Sequence, residues 1–287
     1  MCIRDSVTLE TGCDVKRLIV DDAGRMQGVE YEIKGTRQTL LGSLIVLAAG
    51  AVQSAALLLR SATDAFPAGL GNRSDQVGRN FMNHNCSAVL AMHPLKKNRS
   101  VYQKTLMAND FYLSGADGSP PLGNIQMLGK ITGPILAAST NFPRWVANAV
   151  AARSFDFYAM SEDLPNPESR VTLKGDQIRL DWQRSNWAAH EALVVKLKST
   201  LRKAGFPIVV SRSFDRRTPS HQCGTARMGQ RPDTSVVDTY GRSHDHPNLF
   251  VVDASILPTS AAVNPALTIA ALALRAGRHI QQTEFAA

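Results

Sequence analysis

The stretch that most constrains the fold lies near the C-terminus. Residues 249–252 form a short apolar run with β-branched members, which is typical of a buried strand. An acid and two small residues follow it, and Asn264-Pro265 then predicts a helix start, with Asn264 as N-cap and Pro265 at the first helical position. Because that helix is apolar on nearly every side through Leu274, we expect it to be buried.

The start of such a helix suits an anionic ligand. A buried helix N-terminus carries unpaired N–H groups and about half a positive charge, so we expect it to face something negative. His221 is the side chain in the same block that is best suited to proton transfer, because imidazole titrates near neutral pH. From the residues alone, a structural histidine near a turn is the favoured interpretation of His221.

Length and composition bound the class of protein. The chain has 287 residues, of which 44% are hydrophobic, enough for one large or two interleaved domains with a real core. No apolar run reaches the roughly 18 uncharged residues of a spanning helix, and no signal peptide is visible. The first six residues fit no pattern, so we expect the chain to begin within a domain, which leaves localisation open.

Charge and cysteine usage narrow the partners. The net charge is +8, but no run of five Lys/Arg and no RNA-binding or zinc-finger pattern accompanies it. We therefore favour a solvated basic surface and expect no nucleic-acid partner. The four cysteines are scattered and lack a CxxC pair, which favours reduced thiols in a reducing compartment such as the cytoplasm.

The N-terminal segment predicts a β-meander followed by a strand–turn–helix unit. The meander strands are expected over residues 7–20, 28–33 and 39–41. A fully apolar strand over residues 44–47 then enters a turn of alanine and glycine before a helix over residues 52–60. Such a turn is where α/β proteins bring backbone against a ligand, although a tight turn without a ligand is an equally good interpretation.

The middle of the chain has a different composition. Aromatic residues become frequent, and strand-like alternation occurs over residues 155–160, 171–173 and 177–182. An amphipathic helix is predicted over residues 190–204. We interpret the region up to about residue 211 as a second domain, an antiparallel sheet with helices inserted into the first domain, to which the remainder of the chain returns.

Several familiar catalytic motifs are absent. The chain has no GxSxG, no GxGxxG and no P-loop with its Lys-Ser/Thr. A metal site could be imagined from His244-Asp245-His246 with His221 and Cys223, but their spacing fits no metal-binding pattern. We therefore predict no metal.

Separated motifs in the right order resemble the glucose–methanol–choline (GMC) oxidoreductases, a flavoprotein family that oxidises alcohols. The likeness is strongest in HQCGTARMG from His221, NLFVVDAS from Asn248 and AAVNPALT from Ala261. It is good in LIVLAAGAVQSAALLLRSA and VGRNFMNH, and weak in the middle region. The family's N-terminal strand–GxGxxG–helix, which holds the ADP part of FAD, is not found, so the chain looks like the C-terminal half of such an enzyme.

The resemblance implies a cofactor, a reaction and a site. FAD is the implied cofactor, and a hydride passes from the CH–OH group of a small alcohol, polyol or sugar to flavin N5. His221 is the implied base, and Asn264 donates to the developing alkoxide or orients the substrate oxygen. The electron acceptor, whether quinone, cytochrome or oxygen, stays open. The residues implied to lie at the cofactor are Val15, Ala49, Gly50, Asp253, Ala254, Pro265, Ala266 and Thr268.

The expected fold class is α/β, in the mixed α+β sense. A partial FAD-binding Rossmann-like domain takes residues 1–82 and returns over residues 212–287 with the catalytic residues. An inserted antiparallel-sheet substrate-binding domain takes residues 83–211. Two alternatives stay open: Asp253 caps a turn or helix, and the whole chain is a truncated, non-catalytic remnant that binds a ligand or partner but cannot hold FAD alone.

Overall fold

The computed structural model describes residues 7–100, 104–115, 118–215 and 220–285. It has the predicted mixed α/β architecture, with one parallel strand pair and three antiparallel sheets among the described residues. The first six residues, for which the sequence predicted no pattern, and Cys2 with them lie outside the described ranges.

The N-terminal sheet is the predicted meander. Strands β1 (Cys13–Val20), β2 (Met26–Ile33) and β3 (Thr36–Leu41) pair antiparallel in the order β1-β2-β3. The first strand starts at Cys13, later than predicted, and residues 7–11 are not in a strand. The physical reason is Gly12, whose left-handed φ of 73° interrupts the extended chain.

The strand–turn–helix unit follows directly. Strand β4 (Ile45–Leu47) leads through the small-residue turn into helix α1 (Ala51–Arg60). Strand β12 (Leu249–Val251), from the far end of the chain, pairs with β4 in parallel. Both strands and α1 contribute to the largest apolar core, where Leu58 and Val251 are fully buried.

The middle region forms a five-stranded antiparallel sheet, as predicted. Helix α4 (Trp187–Lys203) covers one face of it through a leucine stripe that includes Leu193 and Leu197. Two short helices, α2 (Gly133–Ser139) and α3 (Arg144–Ala151), pack on each other. In sheet order the strands are β11 (Ile208–Ser213), β5 (Asn85–Met92), β8 (Ser154–Ser161), β7 (Asn124–Met127) and β6 (Met107–Ala108).

One predicted pair of middle strands lies elsewhere. Strands β9 (Arg170–Lys174) and β10 (Gln177–Asp181) form a separate antiparallel hairpin. We expected them in the middle sheet, but Val171 and Trp182 are buried in the same core as α1. The apolar face of the hairpin is therefore satisfied by the first core, and the hairpin does not extend the five-stranded sheet.

The last helix corrects two expectations. Helix α5 (Ala266–Glu284) was expected to be buried, yet Ala276 is its buried member, and Leu274 is 69% exposed. Only a stripe that includes Ile269 and Leu272 packs on the body of the described chain. Asn264 was expected to be the N-cap, but Pro265 takes that position without any side-chain capping bond.

The structure also bears on membrane insertion and thiols. Within the described residues, no helix combines the length and hydropathy needed to cross a bilayer. Cys13, Cys86 and Cys223 are free thiols, and the last two are buried.

The different environments of two leucines give a stability prediction. Leu58 is fully buried, so Leu58→Ala is expected to lower the free energy of unfolding by about 2–5 kcal/mol through lost burial and a residual cavity. Leu274→Ala, the matched control on the exposed face of α5, is expected to change it by no more than about 0.5 kcal/mol. Urea unfolding followed by circular dichroism measures both. An equal decrease in the free energy of unfolding for the two variants would mean that the exposed face of α5 is covered in the native protein.

Candidate active site

The site begins at one edge of the parallel strand pair. Because β4 and β12 run in the same direction, the segments that follow them meet at the same edge, where open α/β sheets place ligands. Asp253, 8% exposed, follows β12 and joins the two segments. Its Oδ2 accepts from the Gly50 amide at 2.9 Å and from the Ser54 hydroxyl at 2.5 Å.

Asp253 also organises its own segment. Its Oδ1 accepts from the Ser255 amide at 2.7 Å and caps the short 3₁₀ helix over Ala254–Ile256. Both carboxylate oxygens are thus engaged within the protein, which is the capping role left open from the sequence. Asp253 shapes the turn that presents Gly50 and Ala254, and any direct role of these residues at a cofactor stays a prediction.

The turn before α1 offers accessible backbone. Gly50 has a left-handed φ of 83°, and a methyl group added to it would meet no atom within 4 Å. Ala49 is exposed, and no side chain caps the start of α1. A ligand could therefore approach the main chain here without displacing a side chain.

The start of α5 is similarly open. Its first intrahelical bond runs from the Ile269 amide to the Pro265 carbonyl at 2.9 Å, so the N–H groups of the three residues between them have no intrahelical partner. Ala266 and Thr268 are exposed, and no acidic side chain lies in the first turn. Pro265 and Thr268 line a cavity of about 210 Å³ beside this helix end. The N-terminus of α5 is thus a favourable position for a negatively charged group.

His221 and Asn264, predicted to converge, lie in contact. The amide Nδ2 of Asn264 is 3.2 Å from Nε2 of His221. The Oδ1 of the same side chain accepts from Nε2 of Gln126, on β7, at 2.9 Å. These two bonds account for the failure of Asn264 to cap α5, since its side chain is directed at the histidine and at the middle sheet.

A second histidine, which the sequence reasoning did not assign to the site, lies behind His221. His84 is 1% exposed, and its Nδ1 is 2.9 Å from Nδ1 of His221. Its Nε2 is 2.6 Å from the carbonyl oxygen of Ser260. The available signal was the position of His84 at the end of the VGRNFMNH motif, but nothing in its spacing connects it with residue 221.

The backbone around His221 is strained and tightly packed. His221 has a φ of 59°, a left-handed conformation uncommon for residues other than glycine, which costs of order 1–3 kcal/mol. Met82 and Cys223 exchange two backbone hydrogen bonds of 3.0 Å, which hold the His221 turn against the His84 segment. Gly224 is required there, because an added methyl group would lie 2.3 Å from the Asn80 carbonyl.

The surroundings keep both imidazoles neutral. Burial lowers the pKa of His84 to about 4. The pKa of His221 is lowered by burial and, to a lesser extent, by the positive charge of Lys104. A neutral imidazole has a free ring nitrogen, so His221 is able to accept a proton near neutral pH.

The remaining sequence candidates have other positions. Val15, 37% exposed, lies on β1 between Asp14 and Lys16, which line a separate polar cleft of about 600 Å³. His246 joins two loops, since it donates to the Gly24 carbonyl at 2.8 Å and accepts from the Gly71 amide at 2.9 Å. Among the described residues, no group of three or more His, Cys, Asp or Glu is arranged to hold a metal ion.

Comparison with known proteins identifies the family. Two sequence models described as GMC oxidoreductase match residues 1–86 and 165–273. The 2-methyl-1,2-propanediol dehydrogenase of Mycolicibacterium austroafricanum is 28% identical over 285 residues, which cover 90% of this chain and 52% of that protein. The 6'''-hydroxyparomomycin C oxidase of Streptomyces lividus is 30% identical over 297 residues, or 95% of this chain and 51% of that protein.

The solved structures agree on the fold. The structure of pyridoxine 4-oxidase from Mesorbium loti matches with a TM-score of 0.67 at 24% identity, over 99% of this chain and 59% of that chain. The chain thus belongs to the GMC oxidoreductase family, whose cofactor is FAD, and both predictions are confirmed. It spans about half the length of the relatives that it matches.

The residues present fit this cofactor. The open turn at Gly50 gives close access to main chain, and the uncapped N-terminus of α5 offers N–H groups beside a cavity. FAD carries phosphates and a ring edge that becomes negative on reduction, and helix N-termini favour negative groups of both kinds. The predicted assignment of individual residues to parts of the cofactor stays a prediction.

The charge of Lys104 gives a test of the electrostatics at His221. Lys104→Met removes a cation that disfavours the imidazolium, so the pKa of His221 is expected to rise. The control is Lys196→Met, an exposed lysine on α4, which is expected to leave the pKa of His221 unchanged. NMR titration of the His221 ring protons measures both. A rise that persists undiminished in 1 M salt would contradict a Coulombic origin.

Proposed function

We propose that this chain carries the proton-transfer half of an FAD-dependent oxidation of a CH–OH group, with His221 as the base. The observation that carries the proposal is the pair formed by His221 and Asn264, whose side-chain nitrogens are 3.2 Å apart, with Asn264 directly before the N-cap of α5. The substrate class is a small alcohol, polyol or sugar, in keeping with a diol dehydrogenase and a 6'''-hydroxyparomomycin C oxidase among the relatives of the chain.

The proton chemistry follows from the two side chains. The alcohol oxygen would lie within hydrogen-bond reach of both Nε2 of His221 and Nδ2 of Asn264, in place of the direct bond between them. Its O–H proton would then pass to Nε2 of His221 as the C–H bond is oxidised. The amide Nδ2 of Asn264 donates to the alkoxide oxygen that forms, and Gln126 holds the amide in that orientation through Oδ1. A base placed in this way contributes about 10²–10⁴-fold.

The cofactor would be held by main chain and a helix end. FAD, when bound, supplies the acceptor for the hydride of the alcohol carbon. Gly50 and Ala254 would lie against it because they present little or no side chain, and Asp253 would keep both segments in register. The N–H groups of Ala266 and Thr268 would face its negative ring edge, an interaction worth about 0.3–2 kcal/mol.

Turnover of the variant His221→Ala tests the proposal. The kcat for dye-linked oxidation of a diol is expected to fall by about 10²–10⁴-fold, because the proton has no acceptor in place. His93→Ala, in the turn after β5, is the matched control and is expected to keep full activity. Turnover that survives in His221→Ala at equal flavin content would rule out His221 as the base.

A second candidate is a protein that binds a ligand without redox chemistry. The observation that favours it is the exposed apolar face of α5, which includes Leu267 and Leu274. A purified protein that is colourless after incubation with FAD and removal of the unbound flavin would support this candidate over oxidation.

Flavin binding has its own test. Asp253→Asn keeps the size of the side chain but replaces one carboxylate oxygen with an NH₂ group, which cannot accept a hydrogen bond. With that group in the place of Oδ2, the Gly50 amide and the Ser54 hydroxyl lose their acceptor. We expect the dissociation constant of FAD to rise by about tenfold or more, which equals 1.4 kcal/mol. Quenching of flavin fluorescence measures it, and Asp22→Ala in the exposed turn after β1 is the control. Unchanged affinity would show that the turn does not contact the cofactor.

A further inference from the structure

The hydrogen bonds around His84 have a fixed direction. The carbonyl oxygen of Ser260 can only accept, so Nε2 of His84, 2.6 Å away, carries a proton and donates it. His84 is 1% exposed, and burial lowers its pKa to about 4, so near neutral pH its ring holds one proton. That proton is on Nε2, and therefore Nδ1 of His84 is an unprotonated acceptor.

This acceptor determines the protonation of His221. The two Nδ1 atoms are 2.9 Å apart, a distance at which one of them must donate. Since Nδ1 of His84 has no proton, Nδ1 of His221 carries one. The Ser220 hydroxyl oxygen, 3.2 Å from Nδ1 of His221, can accept a second, weaker hydrogen bond from the same N–H group. The reverse arrangement, with Ser220 donating to a bare Nδ1, would set two lone pairs against each other at 2.9 Å.

The consequence lies at the other side of the His221 ring. A neutral imidazole that carries its proton on Nδ1 has a free lone pair on Nε2. Nε2 is the atom that faces the amide Nδ2 of Asn264 at 3.2 Å, and an amide nitrogen can only donate. Hydrogen bonds thus link Ser260, His84, His221 and Asn264 in a row. The donor and acceptor roles inferred from Ser260 at one end agree with those that Asn264 requires at the other.

We propose that His84 is a positioning residue that selects the Nδ1–H tautomer of His221 and so leaves Nε2 unprotonated, as the atom that can accept a proton. The catalytic part of this inference rests on the function proposed above, whereas the tautomer itself does not. In the Ser-His-Asp triad, where a carboxylate orients the histidine in this way, a wrong tautomer costs about 10⁴-fold in kcat. Here a neutral histidine anchored on a backbone carbonyl takes the place of the carboxylate.

The tautomer is measured directly by NMR. Long-range ¹H–¹⁵N correlation spectra of the protein, labelled with ¹⁵N at its seven histidines, distinguish a protonated from a bare nitrogen in each ring. At pH 7 we expect the Nδ1–H form for His221 and the Nε2–H form for His84, with assignments from His221→Ala and His84→Asn. A wild-type spectrum with His221 in the Nε2–H form would overturn the proposal, and this measurement needs no variant at His84 to fold.

Two replacements of His84 separate selection of the tautomer from packing. His84→Phe removes the acceptor but keeps a ring, and His221 is expected to lose its preference for the Nδ1–H form. His84→Asn places an amide oxygen near the former Nδ1, and it is expected to restore that preference. Retention of the Nδ1–H form in a folded His84→Phe protein would overturn the proposal.

Activity gives the second measurement. In the flavin-loaded protein, kcat per bound flavin is expected to fall by about 10²–10⁴-fold in His84→Phe and to recover largely in His84→Asn. Equal losses in both variants, with the tautomer preserved, would overturn the role of His84. If His221→Ala keeps its turnover while the NMR result stands, the proposed function fails and the tautomer assignment does not.

Discussion

The parallel pairing of β4 with β12 is the constraint on which the rest of the site depends. It joins segments from near the two ends of the chain, and the carboxyl ends of both strands open at one edge. Asp253 fastens that edge with bonds to Gly50 and Ser54, about two hundred residues earlier in the sequence. Because the carboxylate is buried, water competes little for its hydrogen bonds, and these bonds hold the turn before α1 in place.

The side chains proposed to be catalytic depend on a second convergence. His221 is supported by His84 from the start of the middle sheet, by Ser260 through the ring of His84, and by Asn264 just before α5. These contacts come from two separate segments, one at His84 and one from Ser260 to Asn264, so neither segment positions the imidazole alone. The left-handed backbone of His221 is tolerated because the bonds between Met82 and Cys223 hold the turn in place.

Burial and hydrogen-bond direction act together in this arrangement. Loss of water lowers the pKa of His84 and of His221, which keeps each ring neutral and restricted to one proton. Because each ring carries one proton, the carbonyl of Ser260 alone is enough to set the direction of the hydrogen bonds from His84 through His221 to Asn264. The middle sheet takes part through Gln126, so the strands that would shape substrate binding also orient the amide of Asn264.

Much of the local structure could be predicted from the sequence, because it depends on neighbours in the chain. The apolar run that forms β12, the meander, the small-residue turn at Gly50 and the amphipathic helix α4 are local patterns, and the ordered motifs identify the family and its FAD cofactor. The convergence of His221 with Asn264 was expected from the resemblance, and the two side chains lie in contact.

Tertiary structure decided the features that depend on distant partners. Asn264 does not cap α5, because Gln126 and His221 compete for its amide. The hairpin of β9 and β10 joins the first core, since α1 offers its apolar face a partner, and α5 is largely exposed because only one stripe of it meets the described body of the chain. The sequence determined which groups are chemically able to act, whereas the direction of each hydrogen bond at His221 depends on a carbonyl that only the fold brings to His84.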